Sequence, residues 1–227
     1  MTKNILVIAA HPDDEVLGCG GAMARHSANG DTVGVLFIAD GVGARNDKFV
    51  ESLQKRKQAA ESSLKILGSQ SLGFFDFPDN RLDTVPLLDI VQKIEKVIKE
   101  FKPFVVYTHH HGDLNIDHAI VHRATMTACR PTPGSCVKEI YAYEVLSSTE
   151  WSLVNQSFHP NYFIDIQQSF DKKMLALEIY AEEIPPSPHA RSIEAVQALS
   201  TVRGASVGLK RAEAFVTLRR VADDSTI

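Results

Sequence analysis

Two clusters of ligand-type side chains stand out in the sequence. His11, Pro12, Asp13, Asp14 and Glu15 run consecutively, and Gly18, Gly20 and Gly21 follow them. The second cluster starts with His109, His110 and His111, passes Asp113 and Asn115, and ends on the pair Asp117-His118. Imidazole nitrogens and carboxylate oxygens are the donors of a catalytic zinc site, in which three protein ligands leave a position for water. His11 and His118 supply nitrogen, and Asp13 or Asp14 supplies oxygen. Asp117, an acid beside a candidate ligand at a helix start, can orient an imidazole. A phosphate cradle is disfavoured: its glycines would follow the first strand at once, whereas here a histidine and three carboxylates do. Proline and acids in a first helical turn are also ordinary helix-start chemistry. Pairing with the second cluster is what raises the first above that reading.

The surrounding elements decide whether the clusters can meet. Ile5–Ala10 is a continuous apolar run of the kind buried on both faces of a parallel sheet, and Thr32–Ala39 repeats it. Further strands are expected at Leu72–Phe75, Phe104–Thr108 and Val137–Val145. Helices are expected at Val16–Ala28, Lys48–Leu67 (stopped by Gly68), Pro86–Phe101, with apolar residues at helical spacing, and Ile116–Cys129. Alternation of this kind predicts an α/β fold, a Rossmann-like, doubly wound, mostly parallel sheet with helices on both faces. In that order the first and fourth strands are neighbours and ligands bind outside their carboxyl ends, where both clusters lie. The last third, from about residue 147, reads as an extension or lid of one domain spanning 1–227, with helices over Phe170–Ala181 and Ser192–Thr201, a break at Pro185–Pro188 and a closing apolar run at Ala214–Leu218.

The His-Pro-Asp-Asp-Glu run joined to Asp117-His118 resembles the LmbE-like/PIG-L family of zinc-dependent N-acetyl sugar deacetylases. The likeness takes in the glycines after the first cluster, Pro78-Asp79, and the late segment Pro188–Ser192. It implies that His11, Asp14 and His118 are the metal ligands, that Asp13 is the general base, and that Asp117 supports a ligand from behind. The better-known members carry a histidine three residues before the last ligand, near the oxyanion; here that residue is Asn115, so Asn115 donates a neutral hydrogen bond, or His110 or His189 supplies the charge. The implied cofactor is Zn2+, with Fe2+ suited to the same donors. The implied reaction removes the acetyl group from an N-acetylglucosamine-type sugar through a metal-bound water, Asp13 taking the water's proton and returning it to the amine. Candidate substrate contacts are Arg45, Arg56, Asp79, His110, His189 and Arg191. The resemblance also implies a homo-oligomer.

Composition bounds the alternatives. Lysine and arginine number 24 against 28 acids, a net charge of −4, with a pI near 6.1 and no basic stripe, which excludes nucleic acid as the expected partner. No apolar run reaches the length of a membrane span and no signal-peptide pattern opens the chain, so a cytoplasmic protein acting on a small molecule is expected. Three cysteines without a CxxC pair support neither a disulfide framework nor a cysteine zinc site. His26, His122 and His159 read as structural or surface residues, and Trp151 as a packing residue that could stack on a sugar ring. The neighbouring reading is a zinc amidase on another N-acyl or thiol-conjugate substrate. From a different class comes a non-catalytic nucleotide- or small-molecule-binding module, which has no need of this acid and histidine set.

Overall fold

A computed structural model describes residues 2–43 and 49–222. Arg45 lies outside the described residues. The elements run β1 (Asn4–Ala9), α1 (Asp14–Ala28), β2 (Thr32–Ala39), α2 (Phe49–Leu67), β3 (Gln70–Phe77), α3 (Leu87–Phe101), β4 (Val105–His109), α4 (Ile116–Ala128), β5 (Glu139–Tyr143), β6 (Tyr162–Asp165), α5 (Phe170–Glu178), α6 (Ile193–Ala205) and β7 (Ala212–Arg220), with short 3₁₀ turns between some of them. They form one seven-stranded sheet in the order β3-β2-β1-β4-β5-β7-β6. Strands β1 to β5 pair in parallel, and β7 runs antiparallel to both β5 and β6.

The doubly wound arrangement follows from β1, whose alternate residues feed two cores. Ile5, Val7 and Ala9 pack with α1, α2 and α5 through residues such as Met23, Leu64 and Leu177. Leu6, Ile8 and Ala10 face α3 and α4 through Ile90, Ile94 and Val121. With both faces covered, a continuous apolar strand is the only kind that leaves no polar side chain in a core. The neighbourly pairing of β1 with β4 runs through Ile5–Val105 to Val7–Tyr107. Both strand ends therefore open at the same edge, as the sequence led us to expect.

Four strands depart from expectation in length or existence: β5 falls two residues short of Val137–Val145 at each end, and β7 extends the closing run Ala214–Leu218 by two at each end. β3 runs two residues beyond the expected segment at each end, across positive-φ backbone at Gly73 and Asp76 that interrupts its alternation. β6 is only four residues long, too short for a periodic signal, and exists because β7 offers it a partner from Phe215 to Ala212. The C-terminal third thus continues the sheet through β7 and β6.

Helix α1 is unusual. Its backbone leaves helical geometry at Cys19 (φ −147°, ψ 20°). The nearby glycines permit close approach: a Cβ on Gly18 would sit 2.2 Å from the Tyr143 ring, and one on Gly21 2.7 Å from Ile166. They serve packing of the helix on the sheet, which is why they come too late for a phosphate cradle.

Candidate metal centre

The turn after β1 and the loop after β4 meet as the topology requires. His11, Asp14 and His118 are all buried, and one donor atom from each lies within 4.8 Å of the others. Asp14 Oδ2 is 3.3 Å from His11 Nδ1 and 3.3 Å from His118 Nε2. Ligands about 2.0–2.2 Å from a tetrahedral zinc ion are separated by roughly 3.3–3.6 Å, so this spacing fits such an ion. Asp14 Oδ1 and His118 Nε2 are buried without a hydrogen-bond partner. Buried polar atoms are nearly always satisfied, and a cation at this point would satisfy both.

Each imidazole is held by a carboxylate on its far side. His118 Nδ1 lies 3.1 Å from Asp113 Oδ2, leaving Nε2 toward Asp14. Asp113 is fixed in turn by the hydroxyls of Thr149 (2.5 Å) and Ser148 (3.1 Å) and by the Asn115 N–H (2.9 Å). His11 presents Nε2 to Asp117 Oδ2 at 3.0 Å and to Asp79 Oδ1 at 3.2 Å, leaving Nδ1 toward Asp14. Backbone N–H groups of Asn80 and Leu82 donate to Asp117. Carboxylate support of this kind fixes the ring and its tautomer and strengthens the ligand.

The electrostatics favour a cation. Burial alone would depress both imidazoles, yet Asp14 and Asp113 lift His118 to about 9, and Asp117, Asp14 and Asp79 hold His11 well above its ordinary value. Burial would raise Asp14, but the imidazoles around it hold it well below the usual carboxylate range. A pocket that pulls positive charge onto its own histidines offers a divalent ion the same attraction.

Asp13 is set apart from its neighbour. It adopts φ 118°, a region that disfavours side chains, and it is buried. Its N–H donates to Glu15 Oε2 at 2.9 Å, and its carbonyl accepts from Val16 and Leu17. Glu15 is braced by the Tyr180 hydroxyl at 2.7 Å, and burial lifts its carboxyl to about 8. Asp13 Oδ2 accepts from Arg191 at 3.1 Å, while Arg191 Nε donates to Ser147 at 2.6 Å. Burial pushes the Asp13 carboxyl up and Arg191 opposes it. A carboxylate beside a metal-type ligand but outside the ligand set, with proton affinity raised by burial, is suited to take a proton.

The remaining expected site residues fall in different places. Asn115 caps α4: its Oδ1 accepts the Asp117 N–H at 2.9 Å, and its Nδ2 donates to Asn80 Oδ1 at 3.3 Å. Asp79 is buried against His11 rather than left open for sugar hydroxyls. His110 bonds the Gln156 carbonyl at 2.8 Å, and burial lowers its pKa, so it is a poor source of positive charge. His189 is exposed, and its Nδ1 accepts the Arg191 N–H at 3.1 Å. Arg56 is buried and paired with Glu183 at 2.9 Å. It lines a cleft of about 460 Å³ together with Val42, Lys55, Tyr180 and Glu183. Trp151 is 65% exposed, not a packing residue. His26 bonds Asp31 and Tyr107, a structural use.

Four pairings went unread in the sequence, Arg191 having been read only as a substrate contact. Asp113 had a signal, an acid inside the second cluster, but nothing tied it to His118. Tyr180 lies 165 residues from Glu15 and Arg191 lies 178 from Asp13; no local pattern links either pair. His109 is fully buried, stacks on His118 with ring centres 3.9 Å apart, and accepts the Ala10 N–H at 2.8 Å. It fixes the start of the first turn and the plane of the last ligand.

Comparison with known proteins bears on the family and the fold. The family described as PIG-L, GlcNAc-PI de-N-acetylase, matches residues 6–129. The chain is 34% identical over 182 residues to the uncharacterized deacetylase YaiS of Escherichia coli K12, covering 78% of this chain and 89% of that protein. It is 28% identical over 199 residues to 4-oxalmesaconate hydratase of Pseudomonas putida KT2440, covering 79% and 73%. Among solved structures, the N,N'-diacetylchitobiose deacetylase of Pyrococcus horikoshii superposes with a TM-score of 0.79 at 20% identity, covering 96% of this chain and 84% of that one.

Proposed function

The chain belongs to the PIG-L family, and on that premise we propose that it is a metal-dependent hydrolase that removes the acetyl group from an N-acetylglucosamine-type amino sugar. The observation that carries this reading is the convergence of His11, Asp14 and His118, two of whose buried donor atoms lack partners, beside a second carboxylate, Asp13, that is not a member of the set. Two carboxylates one residue apart with separate surroundings suit two separate jobs, ligand and base.

His11 Nδ1, Asp14 and His118 Nε2 would hold the ion, with zinc the first choice for two imidazoles and a carboxylate and ferrous iron the second. Such an ion supplies a Lewis acid and acidifies water near neutral pH. Asp13 accepts the proton of the attacking water at Oδ2 or Oδ1 and returns it to the departing amine. Arg191, bonded to the same carboxylate, holds Asp13 in place and opposes the upward push of burial on its carboxyl. Asp113 and Asp117 keep the imidazole protons on the far nitrogens, so the near ones remain lone-pair donors. Asn115 acts on this site through the α4 cap rather than on the substrate. The cleft beside Arg56 and Tyr180 falls within the range of small-ligand sites, roughly 300–1,000 Å³, and we assign the sugar to it, with Arg56 as a contact; Arg191 lies outside its lining, on Asp13.

Acetate release from a panel of N-acetylamino sugars tests the reading, with zinc removed and restored. Release that depends on the ion and on Asp13 supports it. The likeness to a hydratase gives the panel a second arm, an unsaturated hydroxy-tricarboxylate: water addition there without acetate release would replace the deacetylase reading. Acyl groups other than acetyl and thiol conjugates form the third arm, the amidase alternative.

A further inference from the structure

Helix α1 carries Asp14 in its first turn and breaks five residues later. At that break lies a buried ion pair that the proposed chemistry does not use. Lys173 of α5 and Glu213 of β7 are 3% and 6% exposed and meet at 2.6 Å. Charged side chains are almost never this buried unless they are paired and fully hydrogen-bonded.

Among the described residues, the other side-chain hydrogen bonds of the pair all go to α1. Glu213 accepts the backbone N–H of Gly21 at 2.8 Å and of Ala22 at 2.7 Å. Lys173 Nζ donates to the Leu17 carbonyl at 2.9 Å. In an unbroken helix the Gly21 N–H would bond the Leu17 carbonyl directly. Here the two groups are joined by a longer circuit: Gly21 N–H to Glu213, Glu213 to Lys173, Lys173 to Leu17. The carboxylate sits at the positive start of the second half-helix and the ammonium at the negative end of the first, the arrangement the helix dipole favours. Gly20 and Gly21 leave room for the splice, since a Cβ on Gly20 would stand 3.3 Å from Lys173 Cγ.

The first half-helix is therefore a short block, Asp13 to Gly18, clamped at both ends. Leu17 N–H bonds the Asp13 carbonyl at 3.0 Å, so the group that Lys173 holds belongs to the same residue that holds Asp13. We propose that Lys173 and Glu213 are positioning residues: the pair sets the angle at which the broken helix presents Asp14 to the metal and Asp13 to the water. The inference rests on the roles proposed above for Asp13 and Asp14. A shift on the order of 1 Å in such groups costs about 10²-fold in rate.

The test uses two variants of the full chain. Glu213→Gln keeps size and one acceptor; Lys173→Met/Glu213→Leu removes both charges together, so no lone buried charge is left to unfold the protein. Zinc affinity is read by competition with a chromogenic chelator, and kcat and KM by acetate release. The expected result is about tenfold weaker zinc binding and lower kcat for Glu213→Gln and about 10–100-fold for the double variant, with KM within about twofold and cooperative melting retained. Zinc affinity and kcat within about twofold of wild type in both folded variants would overturn the proposal; if one variant does not fold, the other decides alone. Weakened zinc binding in variants of a wild type that releases no acetate would sink the deacetylase reading and leave the positioning role standing.

Discussion

The loops after β1 and β4 each deliver metal-type ligands to one point, and they are stabilised in opposite ways. The β4 loop supplies its own nearest support, with Ser148 and Thr149 holding Asp113 from outside it. Its ligand, His118, lies in the first turn of a regular helix capped by Asn115 and is oriented by Asp113 from the same loop. The β1 turn packs two ligands and the candidate base into four residues, holds Asp13 at positive φ, and is braced from far away by Tyr180, Arg191 and Lys173. A crowded, strained turn needs distant props because its own residues are all engaged in the site. Distant substitutions should thus reach the chemistry through the β1 turn, and local ones through the β4 loop.

The largest effects should separate base from ligand within the β1 turn. Asp13→Ala is expected to lose about 10²–10⁴-fold in kcat while retaining metal, whereas Asp14→Ala should lose metal and turnover together; turnover near wild type in Asp13→Ala would remove it as the base. Next come the carboxylates behind the imidazoles. Asp113→Asn should weaken metal binding by about 10–100-fold, and Asp79→Asn by less, because His11 keeps Asp117 at 3.0 Å. Equal losses, measured by chelator competition, would erase the distinction.

A smaller pair of changes addresses the contrast itself. Tyr180→Phe and Asn115→Ala should each cost about 1 kcal/mol of stability in a denaturant titration. Tyr180→Phe should lower kcat several-fold and Asn115→Ala by less, since the Tyr180 hydroxyl braces the strained turn through Glu15. Equal kcat values in the two variants would show that distance of support does not matter.

The smallest effect is one of pH. Burial lowers His122 from its ordinary value to about 4, and its Nδ1 bonds the His109 carbonyl at 2.8 Å. The unfolded chain binds this proton first, so the contribution is intact above about pH 6.5 and is lost as pH falls toward 4. Between pH 7 and pH 5.5 the loss is about 1 kcal/mol. His122→Gln should lose correspondingly less over that interval, and an unchanged difference would assign the acid sensitivity to other groups.

What could be read from residues alone follows the same divide. The β4 loop was legible because its parts are close in sequence: strand, loop, cap and Asp117-His118 fall within fifteen residues of one another. The β1 strand and its ligand run were legible too, since a doubly buried strand is continuous and apolar and the turn after it is where such sheets bind ligands. The props of the β1 turn were not. Nothing local in the sequence ties Tyr180, Lys173 or Glu213 to the first turn and helix, from which they are 165, 156 and 192 residues distant. Asp79 and Asn115 were placed correctly near the site but assigned to substrate or oxyanion, because sequence shows which residues gather and not which atoms are already engaged. The four-residue β6 carries no period and depends on β7.

The central claim is that His11, Asp14 and His118 hold a divalent ion on which acetyl removal depends. Elemental analysis of chain purified without chelator or nickel, beside His118→Ala, with acetate release measured on the same preparations, tests it most directly. The account predicts about one zinc or iron per wild-type chain, both metal and turnover being absent in His118→Ala. A wild-type chain that takes up no metal when zinc is added, or a metal-free variant that still releases acetate, would contradict it.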